Sequence, residues 1–114
     1  MSPTPPKALP TALQRLGINP LEHEILQEKA ATLGRLGRDL GAALRALEDF
    51  DRAHRDRAAL SAGERRQRTE LVGAAGRVLW YFVVQREACG LHRTDEVLRD
   101  YRVPAEVRNR MGAG

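Results

Sequence analysis

The chain has a single cysteine, Cys89, and only 4% aromatic residues. One thiol excludes a disulfide framework within the chain and points to a reducing compartment. Scarce aromatics leave Leu, Val and Ala to build a core, a mix that favours helices over a sheet. Long apolar runs are missing too. The longest, residues 78–84, falls far short of the roughly 20 residues that span a bilayer. No apolar run follows Lys7, so nothing reads as a signal peptide. We therefore expect a cytoplasmic protein without membrane contact. Lysine is nearly absent: Lys7 and Lys29 are the only two, so arginine carries the net charge of +4. A GC-rich genome produces that bias as readily as a phosphate ligand does. The placing of the arginines therefore matters more than their sum.

What is present fits one domain. The chain has 114 residues, 42% hydrophobic and 30% charged, as ordinary globular proteins do. Residues 1–18 hold Pro3, Pro5, Pro6 and Pro10 and read as a disordered or loosely ordered tail, with one helical turn at residues 11–16. Residues 19–112 read as a single helical domain. A long helix is predicted from Pro20 to about Arg57, with Asn19 as its N-cap and Pro20 at its first position. Leu26, Leu33, Leu40 and Leu47 recur every seven residues, with Leu36, Ala43 and Phe50 in companion positions, forming an a/d seam. A second helix is predicted from residue 61 to 89, opened by a Ser61/Glu64 capping box and closed by Gly90. Its apolar middle could read as a strand, but Leu71, Ala75, Val78, Phe82 and Cys89 keep a helical period. Two short helices follow, one from Thr94 to about Arg102 and one opened by Pro104 and closed by Gly112.

Ala30, Gly34, Gly37 and Gly41 share one face of the first helix. A glycine inside a helix costs about 1 kcal/mol relative to alanine, so these need a reason. Either bulky side chains pack into the groove they leave, or the helix breaks there. A chain reversal near Ala59 puts Gly37 opposite about Tyr81. This favours packing, with Trp80, Tyr81 and Phe82 as the main buried anchors. Two helices cannot cover a segment that is apolar all round. A homodimer completing a four-helix arrangement is the simplest remedy, with a further protein partner as an extension of it.

Three constellations bear on chemistry, and each has a plainer reading. Glu22, His23, Glu24 and Glu28 could bridge a metal. Di-metal bundles need Glu-x-x-His pairs on partner helices, and none occurs here, so these acids read as helix-dipole partners. Cys89 and His92, with Glu87 nearby, could form a thiolate site, but Gly90 between them makes this a helix-end turn with a buried thiol. Arg52, Arg55, Arg57, Arg65, Arg66 and Arg68 crowd the hairpin tip against only Asp56 and Glu64. They could contact nucleic acid or an acidic partner. No interleaved aromatics offer stacking and no recognition helix stands out, so a solvated loop is favoured. No cofactor is expected.

The stretches Leu21-Glu22-His23-Glu24-Ile25, Glu28-Lys29-Ala30, Leu33-Gly34-Arg35, residues 84–91 and residues 101–107 together resemble a small bacterial family of helical proteins of unknown function. The resemblance spans about residues 20–112. It implies a helical fold and transfers no activity or ligand. The expectation is thus an all-α hairpin with short C-terminal helices. Its leading role is non-enzymatic assembly, with anion binding at the tip second and a small site near Cys89 and His92 third.

Overall fold

The computed structural model describes Gly17 and residues 19–112. The expected tail and the turn at residues 11–16 lie outside the described residues. The architecture is all-α: α1 (Pro20–Ala53), a 3-10 turn (Arg57–Ala59), α2 (Ala62–Ala88), α3 (Thr94–Asp100) and α4 (Ala105–Arg110). Among the described residues no helix is long and apolar enough to cross a membrane.

Local chemistry sets the helix boundaries. The Glu22 N–H donates to the Asn19 side chain at 2.8 Å, and the Glu22 carboxylate accepts from the Asn19 N–H, a reciprocal cap with Pro20 just inside it. Ser61 and Glu64 repeat the device at α2. At the far end of α2, Leu91 N–H donates to the Arg86 carbonyl and Gly90 N–H to that of Glu87. Gly90 stands at φ +81°, a left-handed closure that suits glycine. The end of α3 repeats this hydrogen-bond pattern with Arg102 at φ +51° and Val103 N–H on the Leu98 carbonyl. This closure ends α3 at Asp100, two residues earlier than the sequence suggests.

The first helix runs unbroken through Gly34, Gly37 and Gly41. It stops at Ala53 rather than Arg57. There His54 leaves helical geometry and its Nδ1 sits 2.8 Å from the Phe50 carbonyl oxygen. Asp56 then caps the 3-10 turn through Ala58 N–H.

Leu40, Leu47, Val72, Ala75, Leu79, Phe82, Val83, Val97 and Val107 form the core, drawn from all four helices. Leu33, Leu36, Ala43 and Leu44 pack on its edge. Leu26, expected to open the seam, stands outside it and is 48% exposed. Of the expected aromatic anchors only Phe82 is buried; Trp80 and Tyr81 are exposed. The hairpin register explains this. Phe82, one residue on from the expected Tyr81, lies over Gly37, and a Cβ at Gly37 would stand 3.5 Å from its ring. Helical spacing then turns Trp80 and Tyr81 away from α1. The Tyr101 ring meets Phe82 edge-on at 5.6 Å, and its hydroxyl would lie 2.6 Å from a Gly37 Cβ. Gly37 therefore accommodates two aromatic residues. Gly76 performs the same service on α2, where a Cβ would meet the Arg110 backbone at 3.2 Å.

Candidate functional site

The two ends of this elongated molecule, 69 Å along its principal axis, differ in chemistry. At the hairpin tip, Arg68 is only 12% exposed. Its Nε and Nη2 donate to the two carboxylate oxygens of Asp51 at 2.7 and 3.0 Å. Its Nη1 and Nη2 donate to Glu106 at 2.8 and 2.6 Å. One guanidinium thus joins α1, α2 and α4 through charge-assisted hydrogen bonds. These bonds hold the Asp51 and Glu106 carboxyls below the usual carboxylate range and raise the Arg68 guanidinium above its ordinary value. Arg57 adds weaker contacts to the same carboxylates at 3.5 and 3.8 Å.

The other tip arginines are partly committed as well. Arg52 lies 3.3 and 3.2 Å from Glu48 and Asp49. Arg65 donates to the Leu60 carbonyl at 2.7 Å. Arg55 and Arg66 are exposed and make no ion pair among the described residues. Arg68, one of the six arginines read as a solvated loop with anionic-partner contact as the alternative, is instead internal. The sequence reading counted Asp56 and Glu64 as the acidic neighbours. It missed Asp51, a turn earlier, and Glu106, which lies 38 positions from Arg68. No local pattern links Glu106 to the tip. Asp56 and Glu64 serve as caps, and Glu64 also meets His54 Nε2 at 2.9 Å. The Ser61 backbone N–H, and then its hydroxyl, hold the Glu64 carboxyl below its usual range.

The opposite end is open. The Gly37–Phe82 contact fixes the hairpin register and puts Ala88, the last residue of α2, opposite about Ala31. Residues 20–30 then run past α2 for roughly 16 Å at 1.5 Å rise per residue. Leu21, Ile25 and Leu26 stand exposed on this overhang. Trp80, Tyr81 and Val84 are exposed in the last turns of α2, and Leu91 in the loop beyond it. Gly112 lies beside the Trp80 ring, where a Cβ would stand 3.6 Å from it. Beside the glycine face of α1 runs a groove of about 360 Å³, bounded by Leu33, Arg38, Arg45 and Tyr101. A Cβ at Gly34 or Gly41 would meet only Arg38 or Arg45 of the same helix, at 3.3 Å. Of the three glycines expected to admit close packing, Gly37 is therefore the one used among the described residues.

The remaining sequence candidates are not brought together. Among the described residues no group of three His, Cys, Asp or Glu side chains could hold a metal ion, the Glu22–Glu28 cluster included. The half-buried Cys89 sulfur has the Gln85 amide 4.0 Å away, while His92 is exposed in the loop beyond Gly90.

The model of a family of unknown function (DUF6665) matches residues 11–114, and the chain belongs to that family. No curated protein and no solved structure matches it.

Proposed function

We propose that this family member is a non-enzymatic helical module that works by associating with itself, any surface still uncovered being left for a further protein. One observation carries the reading. At the end away from the tip, large apolar side chains of α1, of α2 and of the loop beyond Gly90 are exposed. Leu26 prolongs the leucine seam of α1 beyond the reach of α2. Trp80, Tyr81 and Val84 share the outer side of α2, and Leu91 follows in the loop beyond it. Each Å² of such surface removed from water is worth about 25 cal/mol, and exposed apolar clusters mark interaction sites.

Sedimentation equilibrium of the full chain tests the proposal, with Ile25→Glu and Tyr81→Glu as variants. The expected result is a dimer at about micromolar concentration, with both variants shifted toward monomer. A monomer throughout sinks the reading. Loss of mass only at high salt, together with retained nucleic acid at low salt, would favour arginine-mediated anion binding instead.

A further inference from the structure

We propose that two copies pair through antiparallel α1 helices, the acidic first turns of each lying beside the basic middle of the other; this rests on the self-association reading above. Charge along α1 is segregated. Residues 20–31 carry Glu22, Glu24 and Glu28 against Lys29, whereas residues 32–45 carry Arg35, Arg38 and Arg45 against Asp39. Apart from the Glu22 cap, these glutamates and arginines make no ion pair among the described residues. They therefore reach an interface unspent.

Within these two blocks, Leu26, Ala30, Gly34 and Gly41 fall on one face at helical spacing, with Gly37 among them already covered by Phe82 and Tyr101. Among the described residues, nothing from another element covers Gly34 or Gly41. An antiparallel alignment centred near Gly34 sets Glu24 and Glu28 of one copy beside Arg45 and Arg38 of the other, and two-fold symmetry repeats the match. It also lays each exposed Leu26 toward the other copy's groove. A parallel alignment sets like charge on like charge, and is rejected on that ground. The small side chains let the backbones approach, so that charges on the flanks come within reach.

The test is sedimentation equilibrium of the full chain with designed charge exchanges. Glu24→Arg with Glu28→Arg, and separately Arg38→Glu with Arg45→Glu, should each weaken association about tenfold or more. The two variants mixed in equal amounts should recover it. Gly34→Leu should also weaken association, with unchanged or higher helix content and melting temperature. A wild-type dimer indifferent to all of these changes would overturn this pairing while leaving self-association intact. A wild-type monomer would overturn both. A monomer whose Leu26→Cys, placed in a Cys89→Ser background, is shielded from a thiol reagent would put residues 1–16 on that face and overturn the pairing too.

Discussion

The hairpin tip and the open end carry charges and apolar groups in opposite states of completion. At the tip, charges are abundant and half of the six arginines are matched by carboxylates within the chain: Arg68 by Asp51 and Glu106, Arg52 by Glu48 and Asp49, Arg57 by Asp51 and Glu106. At the open end, Glu24 and Glu28 have no partner of opposite charge among the described residues, and Leu21, Ile25 and Leu26 have no cover. The contrast shows that a cluster of arginines read from sequence is a poor guide to an anion site. What counts is whether the fold has already supplied the carboxylates. A functional surface in this chain is better sought where matching is missing.

Arg68→Met should produce the largest stability loss, about 3 kcal/mol, because it strands two carboxylates drawn together by one cation. Urea unfolding checks it. A loss under about 0.5 kcal/mol would show that the tip is no more completed than the open end. Acid should act on the same cluster. Asp51 and Glu106 have lowered folded pKa values, so their contribution is full above the ordinary carboxylate values of 3.8 and 4.5. It is lost as pH falls through the folded values. Melting temperature measured from pH 6 downward should fall in the wild type and fall less in Arg68→Met.

Smaller effects separate the glycines. Gly37→Ala should cost about 1 kcal/mol, since its methyl meets the Tyr101 hydroxyl, and Tyr101→Phe should restore part of that. Gly34→Ala and Gly41→Ala should instead stabilise the isolated chain by about 0.5–1 kcal/mol through helix propensity. Arg102→Gly should add a comparable gain by relieving the left-handed backbone at φ +51°. Least of all, Ile25→Glu should change the unfolding free energy of the single chain by under about 0.5 kcal/mol.

What the sequence disclosed was mostly local. Asn19 with Pro20, Ser61 with Glu64, and Gly90 mark their helix ends because a cap is built from neighbours within one turn. The seam through Leu33, Leu40 and Leu47 and the packing role of Gly37 followed from helical spacing and a simple reversal. The rest depended on distant matching. A one-residue error in register exchanged Tyr81 for Phe82, and with it an exposed ring for a buried one. Arg68 looked free because Glu106 reaches it only after α3 and α4 have turned back on the hairpin. Arg57 fell outside α1 because His54 turns the chain one residue after Ala53. Whether the open end is functional was legible only as surplus apolar surface.

The most direct test of the central claim is the mass of the full chain in solution, followed by sedimentation equilibrium from about 1 to 100 µM. The account predicts twice the mass of one chain at the upper end, falling toward one chain on dilution. A mass of one chain across the whole range would contradict it.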